Sequence, residues 1–257
     1  MIPSALEHVQ EIAGRSGRVA VFLDYDGTLT PIVSHPENAS LSDSMQKALR
    51  ELVARVPVAI LSGRELDDVR RRIDIDGIVY AGSHGFDIEG PRGLRRQVAT
   101  EFLPKLAIAE NELHQALDGI PGARVERKRF SIAAHYRNVK ENDVPAMERA
   151  VSSVGARHPE LRRIDGKKVY ELLPRIGWDK GKAMLWLLET LDLKSNDVRP
   201  IYIGDDSTDE DAFRALEQSG IGILVSEQSQ ITAARYSLKD SQEVEHFLCE
   251  LAARLVQ

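Results

Sequence analysis

Five carboxylates in this chain stand where short apolar runs end. Val19–Leu23 gives way to Asp24-Tyr25-Asp26-Gly27-Thr28, and Ile201–Gly204 gives way to Asp205-Asp206-Ser207-Thr208-Asp209. A third run, Val58–Leu61, ends in Ser62-Gly63-Arg64. Each acid alone has an ordinary explanation. Asp-Gly pairs make turns, acids at a helix start complement its dipole, and Thr208 is a fair cap for a helix starting at Asp209. Taken together these explanations fail. Capping needs one acid, not five, and gathering like charges at one edge costs stability unless a cation sits among them. A hard divalent cation resolves the conflict: Mg²⁺ takes oxygen ligands, keeps waters, and is held by one or two carboxylates plus phosphate oxygens. No His pair or Cys cluster with zinc spacing competes for that role.

Carboxylates two residues apart beside such an ion suit attack on a phosphate ester. A nucleophilic Asp24 would split hydrolysis into two steps through an aspartyl phosphate. Asp26 would protonate the leaving alkoxide and then activate water. Ser62 and the Gly63 amide are the candidates for holding phosphoryl oxygens. Lys180, opening a helix after Trp178-Asp179, supplies a cation opposite the metal; a purely solvated Lys is disfavoured at a helix N-terminus. A nucleotide-binding P-loop is excluded, because Gly181-Lys182 lacks the glycine five residues before Gly181 and is followed by Ala183.

What must position these groups is an alternation of strands and helices. Apolar runs at Val19–Leu23, Val58–Leu61, Ile78–Ala81, Ile201–Gly204 and Ile221–Val225 predict buried strands. Amphipathic patterns predict helices over Ser42–Val56, Glu65–Ile73, Lys180–Leu191, Asp209–Gln218 and Gln242–Val256. Near-continuous apolar strands followed by helices imply an α/β fold, a doubly wound, mostly parallel sheet covered on both faces. In such sheets ligands bind beyond the carboxyl ends of the strands, where the acids lie. The middle of the chain breaks the rhythm. A hairpin is predicted over Phe86–Ile88 and Leu94–Gln97. Helices at Thr100–Leu117 and Val144–Val154 then mix with strands at Ala123–Lys128, Ser131–Arg137, Leu161–Ile164 and Lys168–Leu173. This reads as an α+β module over 101–175 inserted into a core made of 1–100 and 176–257.

Composition bounds the rest. The chain has 257 residues, 42% hydrophobic and 29% charged, with net charge −6, ordinary for a globular protein able to bury a full core. Scattered Lys and Arg argue against nucleic acid, which needs a basic stripe. No apolar run approaches the roughly 20 residues of a membrane span. A single cysteine, Cys249, excludes an internal disulfide and fits a reducing, cytoplasmic setting. The run from Cys249 to Arg254 has the wrong spacing for a cysteine phosphatase, so Cys249 is expected to pack at the edge of the last helix. The expectation is a monomer acting on a small phosphorylated molecule, with neither nucleic acid nor membrane as partner.

These motifs, in order Asp24-Tyr-Asp-Gly-Thr-Leu29, Ser62-Gly-Arg64, Lys180-Gly181 and Gly204-Asp-Asp-Ser-Thr-Asp-Glu-Asp211, resemble those of the haloacid dehalogenase-like phosphatases. Within that superfamily the chain is similar to the trehalose-6-phosphate phosphatases, to which Ala81-Gly-Ser-His-Gly-Phe-Asp87 also points. The resemblance implies a core with an inserted cap that closes over the sugar, and hydrolysis of trehalose 6-phosphate. It implies Mg²⁺ held by Asp24, the Asp26 carbonyl and Asp205, with Asp206 and Asp209 standing behind them. In the inserted module, strand alternation puts Glu126 and Lys128 on one face, His135 and Arg137 on one face of the next strand, and a charged Glu171 between Val169 and Leu173. A solvated sheet face would look the same; Glu126-x-Lys128 and Lys168-x-x-Glu171-Leu-Leu-Pro174 resemble the family's sugar-binding strands, which implies that Glu126, Lys128 and Glu171 read the sugar. The roles of Arg64, His84, His135 and Arg137 stay open. So do a related sugar phosphate such as glucosylglycerol phosphate as substrate, a sugar phosphomutase on the same scaffold, and a module that senses a sugar phosphate without turnover.

Overall fold

The computed structural model describes residues 2–14, 18–33, 36–166, 168–195 and 197–255. The chain divides into two compact units, Met1–Arg96 with Trp178–Gln257, and Gln97–Gly177.

In the first unit the strands are β1 (Val19–Leu23), β2 (Val58–Leu61), β3 (Val79–Gly82), β4 (Asp87–Glu89) and β5 (Arg95–Gln97, whose last residue belongs to the second unit). After the second unit's four strands, β6 (Arg124–Lys128), β7 (Ser131–His135), β8 (Leu161–Gly166) and β9 (Val169–Pro174), the first unit continues with β10 (Arg199–Gly204), β11 (Ile221–Val225) and β12 (Tyr236–Leu238). The helices in chain order are α1 (Val9–Ala13), α2 (Asp43–Val53), α3 (Leu66–Ile73), α4 (Leu103–Leu117), α5 (Val144–Arg157), α6 (Lys180–Thr190), α7 (Glu210–Leu216) and α8 (Ser241–Arg254).

The larger sheet has the order β12-β11-β10-β1-β2-β3-β4-β5. The run β12 to β3 is parallel, and β4 turns back antiparallel on β3. Its central strands are buried on both faces, as a sheet sandwiched between helices must be. Parity divides their side chains. Val19, Val21 and Leu23 join the core with α1, α2, α3 and α8, whereas Ala20 and Phe22 join the core with α6 and α7. Asp24 continues the even series, so the fold delivers it to the face carrying α6 and α7.

Helix starts follow local chemistry. Ser42 accepts the Met45 amide at α2, Asp179 accepts the Lys182 amide at α6, and Asp240 accepts the Gln242 and Glu243 amides at α8. Sequence reading missed β12 and α1, both too short for a periodic signal. It placed Cys249 in packing, but Cys249 is exposed. The apolar stripe of α8 runs Val244, Phe247, Leu248, Leu251, and residue 249 lies a further 100° round from Leu248. The predicted end of that helix at Val256 lies outside the described residues.

In the second unit the antiparallel sheet has the order β6-β7-β9-β8. Ile132, Ala134, Tyr170 and Leu172 pack with Leu106, Leu113, Met147 and Val151 of α4 and α5. Alternation therefore puts Glu126, Lys128, Ser131, Ala133, His135 and Glu171 on the opposite face. Strand β7 ends at His135, so Arg137 sits in the following turn and does not share its strand face. Among the described residues no helix is long and apolar enough to cross a membrane.

Candidate active site

Register brings three strand ends together. Leu23 pairs with Ile203 of β10 and Ile60 of β2, and the Asp24 amide donates to the Ile203 carbonyl at 2.9 Å. Asp24, Ser62 and Asp205 thus follow the carboxyl ends of three adjacent strands. Asp24 and Ser62 are buried.

From the far side of the chain, Lys180 opens α6 and is buried, 3% exposed. Its Nζ donates at 2.7 Å to Asp24 Oδ1 and at 2.7 Å to Asp209 Oδ1. Asp209 is fully buried and accepts on both oxygens. Oδ1 also takes the Tyr202 hydroxyl at 2.6 Å, and Oδ2 takes the amides of Asp205 and Asp206 at 3.0 Å each. Four donors fill the four lone-pair positions of that carboxylate. Asp209 therefore shapes the loop after β10 and fixes Lys180, and Asp24 and Asp205 complete the cluster.

One ligand oxygen each from Asp24, Asp205 and Asp209 falls within 4.8 Å of the others. Three carboxylates face one ammonium, so the cluster is short of positive charge. The electrostatics agree. Burial pushes the Asp24 carboxyl well up against the pull of Lys180, with Asp209 and Asp205 adding to the rise. Burial of Lys180 works against its charge, yet Asp209 and Asp24 outweigh it and raise its pKa, so it stays an ammonium. The backbone also makes room. Gly27 has φ +89°, and a Cβ there would collide with the Asp205 carboxylate; a Cβ at Gly204 would collide with Asp209. The donor set, all hard oxygen with a net deficit of positive charge, fits a divalent cation such as Mg²⁺.

Asp26 is held differently. Arg64 grips it with Nε to Oδ2 and Nη2 to Oδ1, both at 2.7 Å, and also donates to Asp68 at 2.9 Å. The guanidinium lies 5.3 Å from the centre of the Tyr25 ring. Sequence reading left Arg64 without a contact, and nothing in Ser-Gly-Arg announces this fork. The Ser62 hydroxyl accepts the Arg64 amide at 3.1 Å, which shapes the Ser62–Arg64 turn. That turn is tied to the next one: the Ser83 amide donates to the Arg64 carbonyl at 2.6 Å and the His84 amide to the Ser62 carbonyl at 2.8 Å. Ser83 and His84 have φ of 50° and 58°, a conformation that costs non-glycine residues about 1 kcal/mol each; these bonds hold it. A Cβ on Gly63 would press on the His84 ring. Asp206, by contrast, spends its side chain on the Ser207 amide at 2.6 Å.

In the second unit, Lys128 Nζ donates to Glu171 Oε1 at 3.0 Å, and the Ser131 hydroxyl makes a short bond to the same oxygen. Glu126 Oε2 accepts from Arg124 at 2.7 Å and pairs with His135 Nε2 at 2.8 Å. Sequence reading overlooked Tyr202, Ser131 and Arg124. Tyr202 alone left a sign, as the one hydroxyl in an otherwise apolar buried stretch of β10.

Together, the doubly wound sheet, the carboxylates at its carboxyl edge and the inserted α/β unit have the fold of the haloacid dehalogenase-like hydrolases. A hydrolase of that description from Bacteroides thetaiotaomicron shares the fold, with a TM-score of 0.66 at 16% identity over 93% of this chain and 100% of that one. The C. albicans trehalose-6-phosphate phosphatase C-terminal domain superposes with a TM-score of 0.84 at 22% identity, over 98% of both chains. The family described as trehalose-phosphatase matches residues 22–242, and the chain belongs to that family. It is 44% identical to probable trehalose-phosphate phosphatase D of Arabidopsis thaliana, over 97% of this chain and 72% of that protein. It is 45% identical to probable trehalose-phosphate phosphatase 4 of Oryza sativa subsp. japonica, over 97% and 70%. The protein is accordingly a phosphoric monoester hydrolase.

Proposed function

We propose that this protein hydrolyses trehalose 6-phosphate to trehalose and inorganic phosphate, with Mg²⁺ as cofactor and Asp24 as nucleophile. The observation that carries the reading is the buried Lys180 shared by Asp24 and Asp209, with Asp205 beside them, at the carboxyl ends of adjacent strands.

Asp24, the Asp26 carbonyl and Asp205 would hold the ion. Bound there, it supplies Lewis-acid neutralisation of phosphoryl charge and so relieves repulsion between a carboxylate and a phosphate dianion. The chain's own residues do the rest. Lys180, fixed by Asp209, orients Asp24 through Oδ1 and leaves Oδ2 for attack at phosphorus. The Ser62 hydroxyl and the Gly63 amide steady the phosphoryl oxygens. Asp26 gives its proton to the leaving sugar oxygen and then takes one from the water that attacks the aspartyl phosphate. While Arg64 holds both Asp26 oxygens, that carboxylate is oriented but occupied, so proton delivery requires one of the two bonds to be released. The family relationship supports the substrate, and we assign sugar reading to the second unit, near the predicted 101–175 module, through Glu126, Lys128 and Glu171.

The test is phosphate release from trehalose 6-phosphate with Mg²⁺ present. Asp24→Asn is expected to lower turnover by about 10³-fold or more with the fold retained. Substantial residual turnover in that variant removes Asp24 from the nucleophile role. Appearance of an isomerised sugar phosphate in place of inorganic phosphate would mark a mutase.

A further inference from the structure

We propose that His135 is a positioning residue for substrate specificity, holding one oxygen of Glu126 so that the other meets a sugar hydroxyl. The inference rests on the sugar-reading role proposed for Glu126 and goes beyond it.

Both bonds to Glu126 land on Oε2: Arg124 Nη2 at 2.7 Å and His135 Nε2 at 2.8 Å. The hydrogen bond from His135, ahead of the charges around it, holds the Glu126 carboxyl down at about 2. An ionised carboxylate only accepts, so the proton of this bond sits on Nε2 of His135. The two holders are unequal. The Arg124 side chain is 66% exposed, whereas that of His135 is 25% exposed. A long exposed cation contributes little to fixing geometry. An imidazole with two rotatable bonds, on a strand whose Ile132 and Ala134 are locked in the helix-facing core, contributes more.

Register shows what Glu126 would do once held. Glu126 pairs with Ala133, and Ala133 pairs with Glu171. Two carboxylates therefore flank one small residue, two strand spacings or about 9–10 Å apart at the backbone, a span that one sugar ring with its hydroxyls can bridge. Glu171 is fixed by Lys128 and Ser131, and His135 does for Glu126 what they do for Glu171. A hydroxyl-reading site discriminates strongly only when its acceptors are held in place, because a substrate lacking the hydroxyl then leaves them unpaired.

The experiment compares wild type, E126Q, H135A, H135Q and the double variant E126Q/H135A, on trehalose 6-phosphate and on p-nitrophenyl phosphate. H135A should raise KM for trehalose 6-phosphate about tenfold, the worth of one hydrogen bond to a charged group, with kcat unchanged. Kinetics on p-nitrophenyl phosphate should not move, and H135Q, which keeps a donor, should recover most of the loss. On the E126Q background H135A should add nothing. The inference is overturned if E126Q raises KM and H135A does not, if the two losses simply add, or if H135A lowers both substrates together while H135Q does the same. An unchanged KM in E126Q has a different meaning: the sugar-reading assignment of Glu126 is then wrong, and the role of His135 falls with it.

Discussion

Asp209 decides what the other acids are free to do. With Lys180, Tyr202 and two backbone amides on its oxygens, it is a buried anion fully committed to structure. Burial, followed by Asp209 and Asp24, pushes the Tyr202 phenol well up, so its hydroxyl stays a donor. Removing only that hydroxyl keeps the ring's edge-on packing against Phe213 and strips one donor from a buried carboxylate. Tyr202→Phe should therefore cost about 1.5–3 kcal/mol, measured as a shift of the urea midpoint at constant slope. An unchanged midpoint would mean that Asp209 is satisfied without it. Spacing singled out Asp24, Asp205 and Lys180, and the structure gathers them into one cluster. The Arg64 grip on Asp26 was not legible, because it joins residues 38 positions apart and depends on the shape of the Ser62–Arg64 turn.

At the scale of elements, helix α6 matters because its first residue, Lys180, ties Asp24 to Asp209 in the carboxylate cluster. Its start is set by Asp179, whose Oδ1 accepts the Lys182 amide at 2.8 Å. Asp179→Ala should cost about 1 kcal/mol in stability and, by loosening the turn that carries Lys180, should lower turnover more than substrate affinity. Denaturant titration paired with steady-state kinetics reads both; a stability loss with intact kcat would separate the cap from the site. Strands β1, β2 and β11 were read from sequence to the residue, because buried parallel strands are uninterrupted apolar runs. Strand β12 was not, since three residues, Tyr236–Leu238, carry no period. It forms because β11 leaves an edge that Tyr236 and Leu238 can cover with buried side chains. The predicted hairpin exists, but its strands are shifted to Asp87–Glu89 and Arg95–Gln97, and the first takes its register from antiparallel pairing with β3 rather than from hydrophobicity.

For the whole molecule, a single chain folds as two units, one bearing the carboxylate cluster and one bearing the Glu126–Glu171 face. The polar face of the second unit could be suspected from alternation alone, but its pairings could not, because which charges meet across β6, β7 and β9 is set by register. The charge deficit of the cluster shows itself in the titration of Asp24. A folded pKa raised above the unfolded value means that ionised Asp24 lowers stability. That contribution is absent below the unfolded value of 3.8 and grows as pH rises through the folded value. A bound cation reverses it, so binding should stabilise most at neutral pH. The most direct measurement is thermal unfolding against Mg²⁺ concentration, at neutral pH and at pH 4, for wild type and Asp205→Asn. At about 100 times the dissociation constant the wild type should gain about 2.7 kcal/mol at neutral pH and markedly less in acid, with Asp205→Asn losing most of the gain. Equal stabilisation of wild type and Asp205→Asn, or none at neutral pH, would contradict a cation site at these strand ends.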